Sequence, residues 1–221
     1  VVQSRYDKIF LTPFGEVMPG IRHWPWLQNR VRALGAYGMP FDLSPGRSKN
    51  AFEIRWTWEM PLRAVAPICF EATMPNVCRR LVYGGGTRKA DVIVNGTNDG
   101  WFNSFPLGRL QHLQSARWRS LELATPMARA ANTGVSALVD HRGRLLASGI
   151  NGQPGAIGAD GVLSGELPII REGSLYAAGG WITGWVLAAL GLILSVWSCL
   201  PVRADPDTRA MNQNSKETNT Q

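Results

Sequence analysis

The sequence predicts an α/β protein followed by one hydrophobic C-terminal segment, on three observations. Short apolar, β-favouring runs alternate with two stretches of helical spacing, the pattern of a sheet covered by helices. One of those runs, Val65-Ala66-Pro67-Ile68-Cys69-Phe70-Glu71, stops at a thiol with a carboxylate two residues on, as when a buried strand delivers a nucleophile to a sheet rim. From Gly173 to Val202 no residue is charged. About 20 apolar residues at about 1.5 Å each span the roughly 30 Å of a bilayer core.

In chain order, Ile9-Phe10-Leu11 reads as a first strand. The stretch from Val17 to Arg63 is interrupted by Pro19, Trp24, Pro25, Trp26 and Pro40. It reads as a long loop folded over the domain, or as an arm that rests on a bilayer and guides lipid to the site. Val65 to Cys69 is the second strand and Met74 to Tyr83 a helix. Asp91 to Asn95 is the third strand. Leu107 to Ala124 is the clearest helix, with Leu110, Leu113, Arg117 and Leu121 at three- and four-residue spacing. Val135 to Val139, the turn Asp140-His141-Arg142-Gly143 and Arg144 to Ala147 form a hairpin. Functional groups are expected at strand ends.

These elements place a domain over residues 1–172, a membrane helix over 173–202 and a disordered polar tail over 203–221. Trp181, Trp185 and Trp197 stand toward the two ends of the span, where indole rings favour the interface. Gly180 and Gly184 form a small-xxx-small pair for a partner helix. Arg203, Arg209 and Lys216 in the tail place it in the cytoplasm, and the domain outside. The chain starts at Val1 inside an expected strand, with neither a signal peptide nor an initiator Met, so it reads as the C-terminal part of something longer.

The 221 residues carry a formal charge of +7, but Lys and Arg are scattered and no nucleic-acid motif is present. An anionic membrane surface suits that charge better. Among three cysteines, Cys69 and Cys78 could pair, and Cys199 lies in the span. No CxxC or histidine cluster suggests a metal, and no cofactor is expected.

The thiol has company. Lys8 stands in Tyr6-Asp7-Lys8, and Glu16 in Thr12-Pro13-Phe14-Gly15-Glu16. Together with Cys69 and Glu71 these are the groups of acyl transfer through a thioester. Further motifs follow: Thr97-Asn98-Asp99-Gly100-Trp101-Phe102, Gln111-His112, Ala116-Arg117, Ser120-Leu121-Glu122 and Arg129-Ala130-Ala131-Asn132-Thr133-Gly134. By their order and spacing through residues 5–200, the chain resembles the C-terminal part of the apolipoprotein N-acyltransferases, membrane-bound members of the nitrilase (carbon–nitrogen hydrolase) superfamily.

That resemblance implies a nitrilase-like αββα sandwich, present here as its C-terminal portion, and a Glu-Lys-Cys triad. It implies a bacterial inner-membrane enzyme that moves an acyl chain from a phospholipid to the N-terminal amine of a diacylglyceryl-cysteine lipoprotein. Cys69 matches the nucleophile and Lys8 the triad lysine, while Glu16 and Glu71 match further carboxylates. Trp101 matches a pocket aromatic, with Phe70 and Asn98 beside the substrate. A backbone N–H near Phe70 would help hold the oxyanion. The family's triad glutamate lies upstream of the lysine, and no glutamate stands among the seven residues before Lys8. The missing N-terminal half of the same enzyme is therefore an expected partner.

Two other functions compete. One is an amidase of the same superfamily; the other is a membrane-anchored relic that binds without catalysing. His112 reads as a structural helix histidine and Asp99 as a hydrogen-bond acceptor.

Overall fold

A computed structural model describes residues 5–13, 15–17, 20, 23–27, 29–30, 43–47, 51–55, 61–102, 105–148 and 161–199. The chain divides into two units, Val1–Ala178 and Gly179–Gln221.

The first unit is built on a six-stranded sheet in the order β1-β2-β5-β6-β7-β8. Its strands are β1 (Phe52–Ile54), β2 (Leu62–Val65), β5 (Val92–Asn98), β6 (Met127–Asn132), β7 (Ala137–Val139) and β8 (Leu145–Ser148). Strands β3 (Tyr83–Gly84) and β4 (Thr87–Arg88) form a separate antiparallel ribbon. At the centre, β2, β5 and β6 run parallel, so their carboxyl ends open on one edge of the sheet. The flanking pairs β1/β2, β6/β7 and β7/β8 are antiparallel.

Two helices supply the buried apolar partners of the sheet. Helix α1 (Pro75–Val82) starts with proline at its first turn, where a missing N–H costs no helical bond. It buries Cys78, Leu81 and Val82. Helix α2 (Pro106–Leu123) also opens on proline and ends at Ala124 in a left-handed cap. Leu113, Ala116 and Leu123 join Val65, Ile93, Met127 and Val139 in one buried cluster. Strand β5 alternates as the pleat requires, with Ile93, Asn95 and Thr97 buried and Val94, Gly96 and Asn98 exposed.

Charged side chains tie the periphery to this core. The buried Asp91 carboxylate accepts from Arg63 Nη2 at 2.9 Å and Arg171 Nε at 3.1 Å. Arg88 reaches Ala124 O, Thr125 Oγ1 and Glu172 O, fixing the end of α2 to the segment that follows the sheet. The short helix α3 (Leu175–Ala178) packs with Ala177 buried, and Ser174 Oγ donates to Glu122 O.

Several sequence expectations need correction. Ile9–Leu11 forms no strand; the N–H groups of Ile9 and Phe10 go to the Glu71 side chain instead. Strand β2 stops at Val65, because Pro67 cannot donate to a ladder, and Cys69 opens a 3-10 turn over Cys69–Thr73. Strand β6 lies where the sequence offers only a motif, and β1 falls within the expected long loop. The Cys69–Cys78 disulfide is not formed: both thiols are free, and Cys78 Sγ donates to Glu71 O at 3.3 Å. Burial pushes the Cys78 thiol up to about 12.

The second unit departs from one helix over 173–202. A 3-10 turn (Gly180–Ile182) precedes helix α4 (Thr183–Cys199). Gly180 and Gly184 therefore do not share a regular helical face. Helix α4 has 17 residues, about 26 Å at 1.5 Å per residue. No helix among the described residues is long and apolar enough to cross a membrane. Trp185 and Trp197 are 76% and 70% exposed. Pro19, Pro40, Leu200–Val202 and the 203–221 tail lie outside the described residues.

Ile93 is fully buried, with Val65 and Met127 as its strand neighbours. Ile93→Ala is expected to destabilise the full gene product by about 2–5 kcal/mol in denaturant unfolding. A loss below about 1 kcal/mol would mean that the centre of this sheet is not the core.

Candidate active site

The loop after β2 carries the thiol. Pro67 ends strand pairing, and Cys69 then takes φ +51, a left-handed conformation uncommon for a residue with a side chain. The turn is held from beneath by Glu71, which is fully buried. Its Oε2 accepts from Ile68 N–H at 2.7 Å and Tyr6 O–H at 3.0 Å; its Oε1 accepts from Ile9 N–H at 2.7 Å and Phe10 N–H at 2.9 Å. Four donors on two oxygens use the acceptor capacity of the carboxylate. Burial pushes the Tyr6 hydroxyl far up, and the neighbouring Glu71 charge adds to the shift.

The clamp fixes residues 6–10 and thereby Lys8. Lys8 Nζ lies 2.5 Å from Glu16 Oε2 and 3.0 Å from Thr12 Oγ1, with its side chain only 9% exposed. Glu16 Oε2 also accepts from Thr12 N–H at 2.8 Å, so it caps its turn as well as pairing the lysine. Burial would raise the Glu16 carboxyl, but hydrogen bonds from Lys8 and Thr12 hold it below the usual glutamate value. Residues 43–47 run alongside: Gly46 N–H donates to Lys8 O and Leu43 N–H to Glu16 O. Asp7, beside Lys8, pairs with Arg5 on the exposed surface.

Two cavities meet at the thiol. The first, about 450 Å³, is lined by Cys69, Phe70, Trp101, Phe102, Gln111 and His112, among others. The second, about 510 Å³, is lined by Glu16, Leu43, Ile68, Cys69, Thr97 and Trp101, among others. Cys69, Asn98 and Trp101 border both, and Glu16 is the one carboxylate among the described residues lining either. Each volume suits a small-molecule group. Phe70 stacks on Phe10 with centroids 6.1 Å apart. Trp101 is 51% exposed, leaning on Gly15, where a side chain would crowd the indole. Asn98 lends its carbonyl to Cys69 Sγ at 3.9 Å, and its side chain accepts from Gly100 N–H.

Beneath the thiol lies a buried polar network. Asp99, following β5, accepts from Thr97 Oγ1, from Arg129 Nη2 and from His112 Nδ1, the last at 2.7 Å. Burial would raise the Asp99 carboxyl, yet the His112 bond and the Arg129 charge hold it low. The carboxylate fixes the ring with Nδ1 as donor. His112 Nε2 is buried and unpartnered, with Phe102 tilted against the ring at 5.7 Å. Thr133 at φ +59 and Gly134 turn the chain after β6, and a side chain at Gly134 would overlap Asp99.

The structure thus brings Cys69, Phe70, Asn98, Trp101 and Glu16 around two adjoining cavities, with Lys8 behind Glu16 and Glu71 behind the loop. Sequence reasoning missed Thr12, Phe102, Ser115, Asn95 and the reach of Arg129. The spacing of Gly108, Gln111, His112 and Ser115 along one face of α2 was the available signal for the cavity wall.

The carbon–nitrogen hydrolase family pattern matches residues 8–165. The chain is 35% identical over 200 residues to an apolipoprotein N-acyltransferase of Bradyrhizobium diazoefficiens, covering 88% of this chain and 33% of that protein. It is 34% identical over 203 residues to that of Brucella melitensis, covering 87% of this chain and 34% of the relative. The chain therefore spans about a third of the length of the curated relatives it matches. A carbon–nitrogen hydrolase from Helicobacter pylori shares 13% identity at a TM-score of 0.42, over 49% of this chain and 42% of that one. With Cys69 and Lys8 both inside the matched stretch, the chain belongs to the carbon–nitrogen hydrolase family.

Proposed function

We propose that this chain is the thiol-bearing portion of an N-acyltransferase that works through a thioester on Cys69. The observation that carries it is the placement of a half-buried thiol at the meeting point of two cavities, beside a lysine–carboxylate pair. Support also comes from relatives named apolipoprotein N-acyltransferase.

In the first half-reaction the Cys69 thiolate attacks an ester carbonyl of a phospholipid. A C–S bond forms, the ester C–O bond breaks, and the departing alkoxide takes a proton to leave as a lysophospholipid. The proton acceptor for the thiol is a glutamate outside these residues. The Lys8 ammonium adds positive charge on the side of the site where the oxyanion develops. The N–H groups of Cys69 and Phe70 open the 3-10 turn and make no bond within it, so they are available to an oxyanion. In the second half-reaction the N-terminal amine of a diacylglyceryl lipoprotein attacks the thioester, an N–C bond forms, the acyl C–S bond breaks, and the proton lost by the amine returns to the sulfur to regenerate the thiol. Two adjoining cavities give donor and acceptor separate approaches to one sulfur.

Glu16 pairs with Lys8 and aims it. Glu71 has no oxygen free for substrate and acts as a positioning group for both Lys8 and the thiol loop. Trp101, Phe70 and Asn98 contact the acyl group at the rim. The uncharged segment from Gly173 to Val202 holds the chain at the bacterial inner membrane.

Incubating the full gene product with phospholipid vesicles and a diacylglyceryl-cysteine peptide should yield N-acylated peptide, and Cys69→Ala should abolish it. Ammonia release from small amides without peptide acylation would favour an amidase; neither product from a folded enzyme would favour a binding relic. Glu71→Gln should lower both stability, by about 2–4 kcal/mol for the donors left unpaired, and turnover. Unchanged stability with lost turnover would make Glu71 a catalytic group instead.

A further inference from the structure

Arg129 is a buried cation for which the thioester chemistry above has no use. Its side chain is fully enclosed, and it sits in the Arg129–Gly134 motif on β6, beside the middle of the three parallel strands. Parallel pairing of β5 and β6 puts Arg129 directly beside Asn95. Alternation along both strands turns the two side chains toward the helices, into the core and not to solvent.

Each arm of the guanidinium has a separate destination. Nη1 donates to Asn95 Oδ1 at 2.6 Å, and Asn95 Nδ2 donates in turn to Pro67 O at 2.8 Å. Pro67 is two residues before the thiol, so this arm fixes the chain leading into the Cys69 turn. Nη2 donates to Asp99 Oδ2 at 3.0 Å and Oδ1 at 3.3 Å. Asp99 follows Asn98, whose carbonyl meets Cys69 Sγ. Nε completes the fork at Val135 O, 3.3 Å away. Burial lowers the Arg129 pKa, while Asp99 and Cys69 are among the groups that oppose the shift.

We propose that Arg129 is a positioning residue for the nucleophile: its fork sets the distance between the loop that carries Cys69 and the Asn98 carbonyl beneath the sulfur. The proposal rests on Cys69 being the acylated thiol. A planar guanidinium can hold two acceptors at a fixed angle, whereas an ammonium supplies the same charge at one point. Glu71 holds the turn from Ile68 onward, but Pro67 just before it offers no N–H, and its carbonyl is held by the Asn95 side chain that Arg129 fixes. A 1 Å displacement of a reacting atom lowers rate about 100-fold.

Two variants of the full gene product test the fork. Arg129→Lys keeps the charge and loses the fork. Asn95→Asp leaves Arg129 paired, but a carboxylate cannot donate to Pro67 O, so only the loop arm is cut. In phospholipid-dependent peptide acylation, Arg129→Lys should lower kcat about 100-fold and Asn95→Asp about 10-fold, with KM for phospholipid within about threefold of wild type. Iodoacetamide alkylation of Cys69, followed against pH below the melting temperature, should slow in both. Wild-type kcat and alkylation in folded Arg129→Lys and Asn95→Asp, with only the melting temperature lowered, would overturn the proposal and leave Arg129 a packing residue. If Arg129→Lys fails to fold, unchanged kcat in Asn95→Asp overturns it. A wild type that never acylates peptide would overturn the thioester reading, and this proposal with it.

Discussion

Two segments 62 residues apart in sequence meet at the Glu71 carboxylate, where the Ile9 N–H donates to Oε1. On one side are residues 6–10, which form no strand and whose backbone donors need partners; on the other is the turn that presents Cys69. An unpaired backbone N–H in such a place costs about 1–3 kcal/mol, and a carboxylate buried without donors costs more. Each side therefore relieves the other. The held residues 6–10 carry Lys8 to Glu16, and the held turn sets Cys69 on a cavity that Glu16 also lines.

The same logic recurs one layer deeper. Strands β2, β5 and β6 run parallel, and their carboxyl ends bring Cys69, Asn98–Asp99 and the Asn132–Gly134 turn to one edge. Loops gathered that way lack ladder bonds, so the core beneath supplies side-chain bonds in their place. Asn95, Arg129 and Asp99 form that support, at positions where the strand alternation would otherwise place apolar groups. A buried polar network of this kind stabilises only when fully satisfied. Here His112 Nε2 is the atom left over, on a ring that forms part of the cavity wall.

The helices were legible in the sequence because apolar spacing and a proline at the first turn mark α1 and α2 from within. Cys69 and Asn98 were legible from motifs, which record local chemistry. Ile9–Leu11 misled because its apolar run satisfies a strand pattern, while its backbone donors go to a glutamate far along the chain. Met127–Asn132 escaped notice because alanine and arginine in alternation carry no apolar signal, although the strand is central. The role of Glu71 was hidden for a related reason: Cys-x-Glu shows a carboxylate near a thiol but not the direction it faces. The uncharged 173–202 stretch was legible as composition, whereas its division into two short helical pieces and α4 depends on backbone conformation at Gly179 and Gly180.

The central claim is that Cys69 carries the acyl group between two half-reactions. Mass spectrometry of the full gene product after phospholipid alone, without acceptor, tests it most directly. A hydroxylamine-labile adduct of acyl mass on the peptide containing Cys69, absent from Cys69→Ala, is the expected result. An enzyme that acylates peptide amines while Cys69 stays unmodified would contradict it, and would require direct transfer without a thioester.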